Sequence, residues 1–327
     1  MTKLSSEIRS VSVVMCTYNG EKYIREQLDS ILRQTYPIEK IYIQDDCSTD
    51  KTVEIIKEYA EKHSNLFYKI NKAQLGVNQN FFEALRQVDT EYIAISDQDD
   101  IWSPDKIEKQ IQAIGNNWLC CCLSKPFSSE GLLVGHFDER VPNHTVLKLI
   151  FYNVIPGHTM LLQKEILNYI SEKSPVMYDW QLAYIASSFH KVYFVPEKLV
   201  DQRRHVSAVT YLKPLDTQRS VLHGIRLVGR AFKLFFQTRQ NIKKFFSNSY
   251  CFLSTLNSSE KDFVEAQKLC QCLARQTFFS FWKASRLCIR NRDKIFYYKE
   301  SNKIYSYSRA FLQPILMYLS FDKNRSL

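Results

Sequence analysis

Three short polar clusters carry residue types that could do chemistry: Thr17-Tyr18-Asn19, Asp45-Asp46 and Asp97-Gln98-Asp99-Asp100. Asp97 and Asp99 are two apart, so in extended backbone their side chains leave on the same side. Two hard oxygen donors so placed suit Mg²⁺ or Mn²⁺, and Mg²⁺ shares its shell with phosphates and water. Capping of the next helix is the other reading of an Asp-rich turn, and Asp50 and Asp105 are candidates for that role. Four or five carboxylates in one place would repel one another unless a cation or proton intervened.

Each cluster follows directly on an apolar run, and those runs say what must position them. Residues 11–16 and 41–43 read as buried strands, as do 66–70 and 92–95. Between them, Ile24, Leu28, Ile31 and Leu32, then Val53, Ile56 and Ala60, then Phe81, Leu85 and Val88 recur at helical spacing. Ser48, Thr49 and Asp50 offer caps for the second helix. Ser103 with Pro104 opens a further helix carrying Ile107, Ile111 and Ile114. Such alternation predicts βαβ units in a mostly parallel sheet with helices on both faces. Ligands of an open α/β sheet bind outside the carboxyl ends of its strands, so the three clusters should line one crevice.

Beyond residue 115 the pattern loosens. A strand at 119–124, a loop through 125–145, a strand at 159–163, helices at 164–172 and 179–189 and a strand at 192–195 are expected. The last third reads as helical. One stripe runs through Val221, Leu222, Ile225, Val228, Phe232 and Phe235, with Arg219, Arg226, Arg230 and Lys233 off it. Later stripes run through Phe263, Ala266, Leu269 and Leu273, and through Tyr307, Phe311, Ile315 and Leu319, with Pro314 expected to kink or interrupt the last.

Length and composition bound the function. At 327 residues, 45% hydrophobic and 24% charged, the chain is long enough for one large domain with an appendage and is not disordered in bulk. Eight glycines supply neither a G-x-G-x-x-G nor a G-x-x-x-x-G-K-[ST] loop. Nine cysteines, with none in a C-x-x-C pair, point to free thiols in a reducing compartment. The net charge of +10 hides a division: residues 1–211 hold 23 Lys/Arg and 27 Asp/Glu, whereas residues 212–327 hold 21 and 7. Two portions are expected, split at 211/212, the second suited to phosphates or anionic lipid. No leader segment and no bilayer-length apolar run is present, which predicts a cytoplasmic protein.

The runs VSVVMCTYNG at 11–20, QDDCSTD at 44–50 and SDQDDIWSPD at 96–105 together resemble family-2-type glycosyltransferases, nearest the bacterial rhamnosyltransferase-like group. The resemblance is strong over residues 10–110 and thinner to about 210. It implies a GT-A fold (a Rossmann-like mixed, mostly parallel sheet), a dTDP- or UDP-sugar donor, Mn²⁺ or Mg²⁺, and inverting transfer to a glycan or lipid-linked glycan in cell-surface polysaccharide synthesis. It also implies roles. Thr17 and Tyr18 would contact the donor's base, with Tyr18 stacking on it, Asn19 would be a further donor-binding residue, and Asp46 would accept the base's imide N–H. Asp97 and Asp99 would form the D-x-D pair holding the metal on the diphosphate. Asn80, in GVNQNF at 76–81, matches a donor-side polar residue, with helix capping by Asn78 or Asn80 left open. Asp179, in MYDWQLA at 177–183, matches the catalytic base, with an N-cap of helix 180–189 as a compatible role. Arg203, Arg204 and His205 match an Arg-x-His element in which the His approaches metal or diphosphate. There the family's following Gly and Asn are replaced by Val206 and Ala208, which puts that loop's conformation in doubt.

Such acceptors sit at the inner face of a membrane, and a basic amphipathic helix at 219–236 suits an anionic lipid surface, packing of that helix on the catalytic domain being the other outcome. Two other classes fit the sequence less well. A nucleotidyltransferase would place a Gly-rich, Arg/Lys-bearing loop after its first strand, where this chain reads TYNGEK at 17–22. A nucleic-acid-binding protein using the basic tail fits poorly with a slightly acidic first two-thirds, so no nucleic-acid partner is expected.

Overall fold

Short β-rich runs separated by amphipathic stretches build an eight-stranded sheet. The elements are β1 (Val11–Thr17), α1 (Ile24–Leu32), β2 (Lys40–Asp45), α2 (Thr52–Lys62), β3 (Leu66–Ile70), α3 (Val77–Leu85), β4 (Tyr92–Ser96), β5 (Ile101–Trp102), α4 (Lys106–Ile114), β6 (Leu119–Phe127), α5 (Val146–Leu149), β7 (Leu161–Gln163), α6 (Tyr178–Ser188) and β8 (Val192–Arg203). The computed structural model describes residues 9–131, 144–172, 174–205, 221–296 and 303–321.

The strand order is β3-β2-β1-β4-β7-β6-β8-β5. β1 pairs in parallel with β2 and β4, β2 with β3, and β6 with β8, while β7 runs antiparallel between β4 and β6. The chain winds outward from β1 through β2 to β3, then returns to place β4 on the other side of β1. That reversal is the switch point at which such sheets open a crevice. Thr17 lies opposite Asp45 and Met15 opposite Ser96, so all three polar clusters leave the sheet side by side.

Val11, Val13 and Met15 pack in one buried cluster with Ile24, Leu28 and Ile31 of α1, Ile55 and Ile56 of α2, and Ile107, Ile111 and Ile114 of α4. Val14 faces the other way by the two-residue period of a strand, where α3 lies against β1 and β2 with Phe82 and Leu85 buried.

Several boundaries differ from expectation. The Ser103 hydroxyl does not cap α4; it donates to Asp105 Oδ1, and Asp105 occupies the cap position. The second helix begins after Lys51, with Asp50 Oδ1 accepting the Thr52 N–H at 3.0 Å. Residues 164–169 form a 3₁₀ turn instead of an α-helix, and of the expected strand at 159–163 Leu161–Gln163 join the sheet. β6 continues to Phe127, into the expected loop. β8 runs to Arg203, eight residues past its expected end, because its register with β6 shifts at Cys122–Ser124 and absorbs the Pro196-Glu197-Lys198 break in apolar pattern.

By packing, residues 1–139, 155–172 and 191–214 form one unit, which contains the sheet. Residues 140–154, 173–190 and 215–327 form a second. Its further helices are α7 (Val221–Thr255), α8 (Lys261–Arg275), α9 (Phe278–Arg290), α10 (Arg292–Ile295) and α11 (Lys303–Leu316). The C-terminal region is thus helical, as expected. α5 and α6 belong to it: Trp180 Nε1 donates to Leu149 O at 2.7 Å, and its ring meets Phe245 of α7 at 5.8 Å. α11 runs through Pro314 before tightening into a 3₁₀ turn at Met317–Phe321. Val206, Ala208, the 211/212 boundary and Arg219 lie outside the described residues. Among the described residues, no helix is long and apolar enough to cross a membrane.

All nine cysteines are free thiols. Three stand in a row on β6, where burial pushes Cys120 up to about 12 and Cys122 to about 11.

Lys106 is fully buried on α4, with Nζ donating to Gln110 Oε1 at 2.9 Å and lying 4.0 Å from the centre of the Trp102 ring. Burial pulls its pKa down to about 8, against a partial opposing pull from Cys122 and Cys120. Between pH 8 and the unfolded value near 10.5 the unfolded chain binds the extra proton, so this residue makes stability rise with pH across that window. Lys106→Met, close in volume, should be more stable than wild type at pH 7 by on the order of 1–2 kcal/mol. Urea unfolding at pH 7 and pH 10 checks this: the advantage should shrink or vanish at the higher pH.

Candidate active site

The β1 end is fixed from two sides. Thr17 Oγ1 donates to Asp45 Oδ1 at 2.7 Å, and Ser48 donates its N–H to Asp45 Oδ2 and its hydroxyl to Oδ1. Asp45, buried, is therefore a structural carboxylate. Asn19 adopts a left-handed φ of 48°, a conformation Asn tolerates. It donates its N–H to Ser48 Oγ and accepts the Thr49 N–H on Oδ1 at 2.8 Å. Gln98 reaches across from the β4 end, accepting the Tyr18 N–H at 2.9 Å and donating to Tyr18 O at 3.0 Å. Tyr18 is left with an exposed ring.

Asp46 is also buried, and its oxygens accept from Leu75 N at 2.6 Å, Gly76 N at 2.8 Å and Asn71 Nδ2 at 2.8 Å. A carboxylate has about four lone-pair sites, so one remains. Asn71 also donates to Asn80 Oδ1, and Asn80 Nδ2 donates to Gln44 O at 3.0 Å. Asn80 is thus a buried support for Asn71 and not the cap of α3, a position held by Gly76.

Residues 97–100 join β4 to β5 with a bend at Gln98 and Asp99, and Asp97 and Asp99 find different partners. Asp97 Oδ2 and Asp100 Oδ2 lie 3.4 and 3.7 Å from His158 Nδ1. Asp99 Oδ2 lies 2.7 Å from His205 Nε2. Burial pushes the Asp100 carboxyl up to about 7, with Asp97 and Asp99 adding to the rise and His158 opposing it. Burial alone would lower His158, but Asp100 and Asp97 outweigh it and raise its pKa. The sequence reading missed His158; its signal was a lone His in the otherwise charge-free run 149–163.

β8 delivers the remaining partners. The Arg203 N–H donates to Asp100 Oδ1 at 3.0 Å and its Nε to Asp99 O at 2.9 Å. Its Nη2 pairs with Glu26 of α1 at 2.8 Å, and its guanidinium lies 4.7 Å from the Tyr23 ring centre and 4.6 Å from that of Phe127. Arg203 is buried and committed to the protein itself. The Tyr23 ring meets His205 at 5.0 Å; its hydroxyl donates to Glu130, and burial with that bond pushes it up to about 12.

Asp179 belongs to the second unit. It sits in the first turn of α6 and does not cap it, since the helix starts at Tyr178 with Met177 at the cap position. Its Oδ1 accepts the Trp180 N–H at 2.7 Å and its Oδ2 accepts from Asn153 Nδ2 at 2.8 Å.

A divalent cation fits the first unit's donor set. Asp97, Asp100 and His158 can each turn one ligand atom to within 4.8 Å of the others. Asp100 Oδ2, 3.7 Å from His158 Nδ1, is buried with no hydrogen-bond partner, the state of a group awaiting a ligand or a proton. Asp97 is 41% exposed on its side chain, the most accessible of the three.

The family model described as Glycosyl transferase family 2 matches residues 12–191. The dTDP-rhamnosyl transferase RfbG of Shigella flexneri is 31% identical over 199 residues, which are 56% of this chain and 68% of that enzyme. Among solved structures, S. aureus TarS 1–349 in complex with UDP-GlcNAc aligns with a TM-score of 0.54 at 15% identity, covering 97% of this chain and 92% of that one. The mannosyltransferase PcManGT from Pyrobaculum calidifontis, in complex with GDP-Man and Mn²⁺, aligns at 0.50 and 15% identity, covering 98% and 89%. At such identities the structural likeness is one of fold, and that fold is GT-A.

A Cβ on Gly20 would stand 2.3 Å from Gln98 Oε1. Gly20→Ala should therefore expel Gln98 from Tyr18 and cost about 1–3 kcal/mol in chemical unfolding. Gln98→Ala should cost less, because it leaves no clash, and the double variant should be no worse than Gly20→Ala alone.

Proposed function

The chain belongs to glycosyl transferase family 2, and from that membership we propose that it transfers a sugar, with inversion, from a nucleotide-sugar donor to a hydroxyl of a glycan or lipid-linked glycan in polysaccharide assembly. The observation that carries the reading is the meeting of the β1, β2 and β4 ends, all within the family match at 12–191, with Arg203 and His205 bonded to the segment that follows β4. Residues 1–211 would bind the donor and carry out the chemistry, and residues 212–327 would serve the acceptor or its surface. Donors of the dTDP or UDP class suit the resemblance to RfbG and TarS.

Tyr18 stacks on the base, beside Thr17 and Asn19. Asp46 holds the 71–76 segment and spends its remaining lone pair on the base's imide N–H. Asn80 acts on the donor side through Asn71. Asp97 would hold the cation with Asp100 and His158, whose ligand atoms lie within 4.8 Å of one another, and Asp99 paired with His205 would supply the further ligands that the resemblance implies. When bound, that ion supplies positive charge to the leaving diphosphate. Arg203 holds the Asp99–Asp100 turn in place. Asp179 takes the proton from the acceptor hydroxyl as its oxygen attacks the anomeric carbon; the bond to the nucleoside diphosphate breaks, and attack from the opposite face inverts the centre.

Thermal unfolding with UDP, dTDP and GDP, each with Mn²⁺, Mg²⁺ or chelator, tests donor binding. One nucleoside diphosphate with Mn²⁺ should stabilise by about 2–3 kcal/mol at a hundredfold excess over its Kd, and chelator should remove the shift. No shift with any of them would defeat the reading. Asp179→Asn should lower kcat by roughly 10²–10⁴-fold while keeping the nucleotide shift. Equal loss of both would remove Asp179 from the base role.

A further inference from the structure

The second unit carries an exposed aromatic surface that sugar transfer does not use. α9 opens with a capping box at Thr277, and its first two helical residues, Phe278 and Phe279, are 80% and 76% exposed. Trp282, one turn on, is 50% exposed, and Phe236 of α7 is 78% exposed. Gln276, in a left-handed conformation between α8 and α9, exchanges hydrogen bonds with Arg239 of α7: its Nε2 donates to Arg239 O at 3.0 Å and its Oε1 accepts from Arg239 Nε at 3.2 Å. Phe235 meets Phe281 of α9 edge-on at 5.8 Å and Phe236 at 5.2 Å. These contacts gather the exposed rings around one junction.

Several large aromatic rings exposed around one helix junction mark a contact site. Its surroundings say what the contact is. Neither α7 nor α9 contains an Asp or Glu, while α7 holds six Lys/Arg and α9 three. Arg239, Lys243, Lys283 and Arg286 are exposed beside the rings. Arg286 lies 4.8 Å from the Trp282 ring centre, and Lys243 and Arg275 face one groove between α7 and α8. Arg290 of α9 pairs with Glu265 of α8, but Phe and Trp rimmed by the exposed Arg239, Lys243, Lys283 and Arg286 match a layer that is apolar inside and anionic at its face.

We propose that this junction docks on an anionic lipid bilayer, with Phe236, Phe278, Phe279 and Trp282 entering the interface and the Arg and Lys side chains meeting lipid phosphates. The wedge lies chiefly on α9, outside the 219–236 helix that the sequence singled out. It stands whether or not the sugar-transfer reading holds, and its test reads no turnover.

The full chain is sedimented with vesicles of phosphatidylcholine alone or mixed with phosphatidylglycerol, at low and high salt. Binding should require the anionic lipid and weaken with salt. Trp102, Trp118 and Trp180 are buried, so a blue shift of emission on binding would report Trp282. Phe278→Ser with Phe279→Ser should lower partition about tenfold or more, with unfolding temperature unchanged, and Lys283→Glu should weaken binding mainly at low salt. The proposal falls if the chain ignores anionic vesicles or if the double Ser variant binds as wild type. It falls equally if the face retains single-stranded oligonucleotide in place of vesicles, or is covered by a second copy in a dimer that the Ser variant breaks.

Discussion

Carboxylates crowd the ends of three neighbouring strands, and their mutual repulsion is the constraint that the surrounding structure answers. Each is met differently. Asp45 is held by Thr17 and Ser48, Asp46 by the main chain at Leu75 and Gly76, Asp99 by His205, and Asp100 by the Arg203 N–H with His158 nearby. Asp97 is the one of this group with a substantially open side chain. The fold thus hydrogen-bonds most of the cluster internally and leaves one carboxylate facing outward beside an imidazole.

Arg203 is the member that ties this arrangement to the rest of the first unit. Its guanidinium joins α1 through Glu26, β6 through Phe127 and the 97–100 turn through Asp99, so one buried cation braces three elements. A lysine could offer the charge but not the flat face that lies against Tyr23 and Phe127. A charge so enclosed is costly unless every donor is used, and Nε, Nη1 and Nη2 each have a partner.

The parts of this molecule that were legible in the sequence are those written in short-range periodicity. The β1–β4 strands, their helices and the polar residues directly after them follow from period-two and period-3.6 patterns, and the sheet's register then sets those residues side by side. The supports were illegible because they come from far along the chain: His158 to Asp97 and Asp100, Arg203 to Glu26, Asn71 to Asp46. β8 was cut short because Pro196, Glu197 and Lys198 break its apolar alternation, and only pairing with β6 and β5 restores it. α9 went unremarked because its opening residues are aromatic on the solvent side, the reverse of an ordinary surface helix.

The distribution of thiols has a practical consequence. Cys120, Cys121, Cys122, Cys270 and Cys288 are sealed in the interior, and Cys16, Cys47 and Cys272 are only partly open. Cys251, on α7 at the groove it shares with α8, is the exposed one. A maleimide dye or a surface-immobilisation linker would therefore seat first on that helix, giving the native chain a built-in handle for single-molecule tethering without engineered cysteines.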